Sequence, residues 1–369
     1  MLWNMPEILA TLAALIYATI LVFLLWGLLR IRNKPQKHRP TISIVVAAKN
    51  EENHLPACLR ALARQSYPVE LTQVVVVNDR STDATAAILK GHSTRLAHLK
   101  TVDITNTPNG ISPKKHALQT GIANATGELI FTTDADCTPP PQWISETLPL
   151  FDQNVGMVVG LAPLLPGHSL LSRLLSLDSL ATAFVSAGAI GWNCATTCAG
   201  RNLAYRKEAF EEVGGFQSIN HSLSGDDDLF LQLLKKRTSW NAVVSLNVRT
   251  VVPSPAPESL VAFFAQKRRH VSAGKYYSRP LQLVYLLYHL ANGTLWAFLF
   301  ASFLRSHFIF LASLLFGAKL FLDFLALYLT AQKLNLQRLL VYFPAWEAFF
   351  ILTQLFVAPL AFVGKVKWK

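Results

Sequence analysis

The chain has 369 residues, of which 51% are hydrophobic and only 15% charged, with a formal net charge of +12. Soluble domains carry about 25% charged residues, so the composition excludes an ordinary soluble protein and points to a lipid-facing one. The positive charge is not a nucleic-acid footprint, because it flanks apolar runs and accompanies no zinc-finger spacing or aromatic–basic ribonucleoprotein motif.

The first element is an uncharged apolar run, Ile8–Leu29, near the ~20 residues that span a bilayer. It lacks a basic stretch before it and a small-residue cleavage site after it, so a retained anchor is expected rather than a cleaved leader. The basic stretch "RIRNKPQKHRP" follows, with Arg30, Arg32, Lys34, Lys37 and Arg39. The positive-inside rule puts it, and the chain after it, in the cytoplasm.

From Thr41 to about Val252 the composition becomes globular. "TISIVVAA" predicts a buried strand, and "EENHLPACLRALARQ" a helix with Leu55, Leu59 and Leu62 on one face. "QVVVVNDRSTD" reads as a second strand, with Ser81 or Thr82 capping the next helix. "LKTVDIT" is a third strand, "KKHALQTGIANATG" a helix ending at Gly127, and "ELIFTTDAD" a fourth strand. Strands alternating with helices predict a parallel sheet with helices on both faces. Leu170–Ala199, which includes Arg173 and Asp178, reads as a buried or interfacial helix. "NLAYRKEAFEEVGGF" predicts a strand, a helix and a Gly-Gly stop, and "SGDDDLFLQLLKKR" begins another helix. Cys58, Cys137, Cys194 and Cys198 form no Cys-x-x-Cys pair, as expected of reduced thiols.

Three further apolar runs close the chain, roughly Leu281–Leu304, Phe308–Thr330 and Leu339–Val363. Lys319, Asp323 and Glu347 fall inside the last two and are expected to face a bundle interior or an interface. Four spans would leave the tail lysines Lys365, Lys367 and Lys369 outside, against the positive-inside rule. A re-entrant last segment is the alternative; the four-span, tail-out arrangement is the expectation. Domain boundaries are expected at 1–40, 41–279 and 280–369.

Ligands of parallel sheets bind at the carboxyl ends of the strands. Three polar clusters fall there: Lys49–Glu52, Asn78–Asp83 and Thr133–Asp136. A single aspartate after a strand is most often a cap or turn former, and three clusters at one edge weaken that explanation. Strand alternation points Asp134 and Asp136 to the same side, where two carboxylates suit a hard divalent cation.

Seven segments carry a resemblance: "TISIVVAAKNEENHLPACLRAL", "VVVVNDRSTDAT", "KKHALQTGI", "FTTDADC", "GRNLAYRKEAFEEVGGF", "GDDDLFLQLL" and "QKRRH". Their order resembles family 2 glycosyltransferases, inverting enzymes with a GT-A fold, over about Thr41–His270. With its apolar flanks the chain is similar to the cellulose synthase, hyaluronan synthase and ceramide glucosyltransferase group. The resemblance implies an α/β, Rossmann-like GT-A domain between transmembrane helices, held at the cytoplasmic face of the cell membrane. It also implies a nucleotide-sugar donor, expected to be UDP-linked, a lipid or glycan acceptor, and no nucleic acid.

By the same resemblance, Asp136 ligates Mg²⁺ or Mn²⁺, and Asp134 lies near the ribose and the metal. Asp79 sits beside the base and ribose, with Asn50 and Glu51 nearby. Lys114 approaches the donor, a role open also to Lys115. The general base that inversion requires falls at Asp226 or, one register on, at Asp227. Gln266 and Arg269 face the donor diphosphate, where Arg suits phosphate through its rigid fork. His270 replaces the family's Trp, and its smaller ring weighs against long-chain processive synthesis. Two other readings are a non-catalytic membrane subunit with the same fold and a small transporter. The filled acidic positions argue against the first, and the lack of paired broken helices against the second.

Overall fold

The computed structural model describes residues 4–31, 39–92 and 98–362; Arg32, Lys34, Lys37 and the tail lysines lie outside them. In chain order the elements are α1 (Met5–Arg30), β1 (Ile42–Ala48), α2 (Leu55–Ala63), β2 (Thr72–Asp79), α3 (Thr85–His92), β3 (Leu99–Ile104), α4 (Pro113–Ala123), β4 (Leu129–Asp134), α5 (Trp143–Thr147), β5 (Val155–Gly160) and β6 (Leu164–Leu165). There follow α6 (Leu170–Ile190), β7 (Leu203–Arg206), α7 (Lys207–Glu212), α8 (Asp228–Arg237), β8 (Asn241–Ser245), β9 (Ser254–Pro255), α9 (Leu260–Ser272), α10 (Arg279–Leu304), α11 (Ile309–Leu334) and α12 (Phe343–Phe362).

Seven strands form one sheet in the order β3-β2-β1-β4-β7-β5-β8. Side-chain alternation feeds two cores. Val45, Val75 and Val77 pack with α4 residues Ala117, Leu118 and Ile122 on one face. Ile44, Val46, Val74 and Val76 pack with Leu55, Leu59, Leu62 and Trp143 on the other. The fully parallel expectation needs correction, because β7 runs antiparallel to both β4 and β5. The cause is the path of the chain. After β5 it runs through α6 and re-enters at the same edge, where Gly160 N donates to Asn202 O at 2.9 Å.

Two local readings also change. Neither Ser81 nor Thr82 caps α3; the Asp83 carboxylate accepts from Thr85 N at 3.0 Å. Helix α4 ends at Ala123 rather than Gly127. Gly127 instead lets two backbones meet, since a Cβ there would stand 2.4 Å from Ile42 C.

Among the described residues, five helices (α1, α6, α10, α11 with its preceding turn, and α12 with its preceding turn) are long and apolar enough to cross a membrane. Exposed side chains such as Leu12, Trp26, Phe303, Phe310 and Phe321 give them apolar outer faces. Their charges turn inward, as expected. Lys319 lies 2.9 Å from Asp323 and is also paired with Glu347, and all three are buried. Tyr17 OH donates to Asp323 at 2.7 Å and its ring stacks on Tyr288.

Helix α6 is buried against α1, α11 and α12. Its start is tied to the α11–α12 turn by Arg173 and Tyr342. Its end crosses α1 backbone to backbone: a Cβ on Gly188 would lie 2.5 Å from Leu24 O, and one on Gly191 1.9 Å from Gly27 O. Small residues at such crossings allow close helix approach.

Candidate active site

The polar clusters at the strand ends do gather along one edge of the sheet. They line a single cavity of about 2430 Å³ that continues between α6, α9, α10 and α12. At one end, Asn50 takes a left-handed conformation (φ 54°), which asparagine tolerates. Its Oδ1 accepts from Thr82 N at 2.8 Å, and Glu51 N donates to Thr85 Oγ1 at 2.9 Å. These bonds tie the loop after β1 to the loop after β2. Between them lies Asp79, buried at the end of β2 and gripped through both oxygens by Arg80, at 2.7 and 3.2 Å.

Asp134 ends β4, and Asp136 follows two positions later; both line the cavity. Lys114, in the first turn of α4, places its Nζ 2.8 Å from Asp134 and 3.1 Å from Asp226. Enclosure alone would raise the Asp134 pKa. Lys114, with Arg201 and Arg269 behind it, outweighs that and holds it below the usual carboxylate range. Enclosure likewise works against the Lys114 charge, but Asp134 and Asp226 more than offset it and raise its pKa.

Lys115 does something different. It is fully buried, and its ammonium donates to the carbonyls of Ile219, Ser222 and Ser224 at 3.0, 2.6 and 2.6 Å. Burial pulls its pKa down to about 8, while the three carbonyls solvate the charge. It holds the loop before the Asp226–Asp228 run and is absent from the cavity lining.

The three aspartates have separate surroundings. Asp226 faces Lys114. Asp227 is the N-cap of α8; its oxygens accept from Asp228 N at 2.8 Å and Gly200 N at 3.0 Å. Asp228 accepts from Leu229 N at 2.7 Å and from the hydroxyl of Tyr277, just before α10. Burial, then the charge of Asp226, raises the pKa of Asp227; burial, then Asp227, raises that of Asp228 well above its ordinary value.

Helix α9 brings Gln266, Arg269 and His270 to the cavity. It is tethered by Lys267, whose Nζ lies 2.5 Å from Asp178 on α6. The His270 ring opens into the cavity but is enclosed by protein and surrounded by Arg269, Arg201, Lys267 and Lys114. Enclosure first, then these cations, push its pKa down to about 3, so the imidazole is neutral.

Residue by residue, the sequence assigned no role to Arg201, Asn202 or Tyr277. Arg201 adds charge opposite Asp134. Asn202 is buried, accepts from Trp143 Nε1 and donates to Leu161 O and Thr250 O, each at 2.8 Å. "GRN" before a predicted strand was the available signal for the first two; Tyr277 offered none.

The donor set fits a divalent cation held jointly with substrate. No group of three or more His, Cys, Asp or Glu side chains forms a metal cage among the described residues. Two carboxylates facing one cavity are, however, what Mg²⁺-type ions use when substrate phosphates complete the shell. Asp136 makes no ion pair among the described residues, and its Oδ1 accepts only a weak bond from Cys137 Sγ at 3.3 Å. All four cysteines are free, and burial pushes the Cys58 thiol up to about 12.

Comparison with known proteins agrees with this architecture. The family model for "Glycosyl transferase family 2" matches residues 43–214, and that for "Glycosyl transferase family group 2" matches 129–358. "Probable glycosyltransferase YdaM" of Bacillus subtilis is 29% identical over 201 residues, 53% of this chain and 47% of that one. "Beta-monoglucosyldiacylglycerol synthase" of Synechocystis is 32% identical over 112 residues, 30% of this chain and 23% of that one. The chain thus spans half or less of the length of these relatives. A solved mannosyltransferase, PcManGT from Pyrobaculum calidifontis in complex with GDP-Man and Mn²⁺, shares the fold, with a TM-score of 0.59, 20% identity, and coverage of 94% of this chain and 99% of that one. With matched models that together run from the first strand into the last helix, and a GT-A sheet carrying acidic clusters on one edge, the chain belongs to glycosyltransferase family 2.

Proposed function

We propose that this chain is a membrane-embedded, metal-dependent, inverting sugar transferase. It moves a sugar from a nucleotide-linked donor, UDP-linked in the first instance, to a lipid acceptor at the cytoplasmic face. The observation that carries this reading is the continuity of the cavity from Asn50 and Asp79, past Asp134 and Asp226, to the membrane-facing helices α10 and α12. A glycan in solution has no need of that apolar extension, and the Synechocystis relative is named for a diacylglycerol lipid.

In this reading Asp79, Asn50 and Glu51 hold the nucleoside. Gln266 and Arg269 face the diphosphate, and Asp134 and Asp136 hold Mg²⁺ or Mn²⁺. The bound ion supplies charge neutralisation for the departing diphosphate. Asp226 takes the proton of the acceptor hydroxyl as its oxygen bonds to the sugar's anomeric carbon and the bond from that carbon to the diphosphate breaks. Asp226 is preferred to Asp227 because both Asp227 oxygens already accept backbone N–H groups. The test is release of nucleoside diphosphate by the protein in lipid nanodiscs, across a sugar-nucleotide panel with and without divalent metal. Absence of metal-dependent release with every donor overturns the reading.

The packing supports one membrane arrangement. Helices α1, α10 and α11 span, with the ends at Arg30, Arg279 and Leu334 on the catalytic side. Both ends of α6 meet catalytic-side ends, so it lies across them. Helix α12 meets α11 at Glu347–Lys319 and α10 at Gln354–Asn292. Those partners stand about 15 and 18 Å from the distal ends of their helices at ~1.5 Å per residue, so α12 barely changes depth between them. It finishes on α9, where Arg268 Nε donates to Leu360 O at 2.9 Å. This favours a re-entrant last helix over a fourth span, the arrangement that the positive-inside rule prefers for a lysine-rich C-terminal sequence.

A further inference from the structure

Arg201 lines the cavity and has no part in the chemistry described so far. It lies in the turn that enters β7, and its two neighbours fix it there. Gly200 N donates to Asp227 at 3.0 Å, and Gly200 O accepts from Thr132 Oγ1 at 3.2 Å. A Cβ on Gly200 would stand 3.1 Å from Asp226 Oδ2, so a glycine here lets the turn run close against the acidic stretch before α8. Asn202 is held by its bonds to Trp143, Leu161 and Thr250. In the β4–β7 ladder Thr132 pairs with Leu203. The same register, carried two residues on, sets Arg201 across from Asp134.

A second guanidinium comes from the other wall of the cavity. Arg269 on α9 lines the same space, and the charges of both arginines act on Asp134 and on the ring of His270. Two nearby lysines are already committed, Lys114 to Asp134 and Asp226 and Lys267 to Asp178. Arg201 is half-buried and makes no ion pair among the described residues. A guanidinium has five N–H donors; here Nη2 is bonded to Ala162 O. Two like charges facing one space repel each other until an anion sits between them. A group with several anionic oxygens can take both forks.

We propose that Arg201 is a donor-binding residue, which with Arg269 clamps the diphosphate of the nucleotide sugar. This rests on the transferase reading above and adds a residue to it. The diphosphate is preferred to an anion on the acceptor because Arg201 lies across from Asp134, where donor and metal meet in that reading. The guanidinium moves no proton, since it stays charged throughout. When the bond to the anomeric carbon breaks, its electron pair passes to the diphosphate oxygen. Cations fixed beforehand where that charge collects bind the transition state more strongly than the bound donor. Arg201 therefore contributes to turnover as well as to donor affinity.

The test compares the parent with Arg201→Met and Arg201→Lys, as full chains in nanodiscs with Mn²⁺. Titration calorimetry follows UDP directly and uridine by its competition with UDP; if the donor panel selects another base, that nucleoside diphosphate and its nucleoside are used. Arg201→Met is expected to weaken UDP about tenfold, the size of one charge-assisted hydrogen bond lost. Uridine affinity and the acceptor KM should stay as in the parent, and kcat should fall. Arg201→Lys keeps the charge without the fork and should lie between the two. It also keeps a donor for Ala162 O, so it gives the reading should the methionine variant misfold. Unchanged UDP affinity in the folded variants overturns the inference, as does equal weakening of UDP and uridine, or a change confined to the acceptor KM. A parent that turns over its donor while both variants match it loses only the role of Arg201. If the parent binds no nucleoside diphosphate with metal, the transferase reading and this inference fall together.

Discussion

The ammonium of Lys114 lies 3.1 Å from the Asp226 carboxylate, and the same nitrogen lies 2.8 Å from Asp134. One cation thus joins the strand end read as the metal side to the helix start read as the base side. Lys114→Met removes the shared partner of two carboxylates. It should lower kcat and raise the KM for donor together, with the fold intact. A change confined to the acceptor KM would contradict this placement.

The neighbouring lysine predicts the opposite outcome. Lys115→Met should act on stability, because the carbonyls of Ile219, Ser222 and Ser224 lose their donor. The expected cost is about 1–3 kcal/mol per carbonyl left buried and unpaired. Thermal melts of the two variants distinguish them: Lys114→Met near the parent, Lys115→Met well below it.

Two adjacent aspartates separate in the same way. Asp226→Asn should cut kcat by about 10²–10⁴, the usual worth of a general base, with donor binding retained. Asp227→Asn keeps a capping side chain, whereas Asp227→Ala removes it and should cost about 0.5–2 kcal/mol. Loss of kcat at Asp227→Asn with activity kept at Asp226→Asn would move the base by one position.

These pairs mark where the sequence was informative and where it stopped. In the parallel half, β1, β2 and β4 were legible because each is a mostly apolar, β-branched-rich run that leads into a polar cluster, and β3 because "LKTVDI" follows a helical stretch as a short β-rich segment. β5 and β8 were missed, since "VGMVVG" and "NAVVS" are short and lack such an end. The antiparallel entry of β7 depends on where α6 returns the chain, which no local pattern carries. Lys114 and Lys115 look alike in sequence; one helical step of about 100° separates a cavity from a buried loop. The same limit applied to Asp226 and Asp227. The placement of α12 was open because hydropathy records length and composition, not the Glu347–Lys319 and Gln354–Asn292 contacts that hold it against α11 and α10.

Topology offers a direct check. A fluorescent reporter that matures only in the cytoplasm, fused after Lys369, should shine if α12 is re-entrant. A dark reporter at full expression, with an externally accessible tail, supports a fourth span instead.

His270 predicts a pH dependence with a definite sign. Its folded pKa, about 3, lies below the ordinary ~6.5, so between these values the unfolded chain binds more protons. Stability therefore rises with pH across that window and is lost as pH falls through it. Replacing His270 with Gln should flatten this part of the curve in chemical denaturation. Between pH 6.5 and 8 the two proteins should show parallel behaviour.

The central claim is metal-assisted transfer at the Asp134–Asp136 edge, and one comparison tests it most directly. Nucleoside diphosphate release is measured for the parent and for Asp136→Asn in nanodiscs, with Mn²⁺ or Mg²⁺ and with chelator. The account predicts release by the parent that chelator abolishes and added metal restores, and none by Asp136→Asn, although the variant folds with the parent's melting profile. Equal release by the folded variant, or release indifferent to chelator, would contradict it.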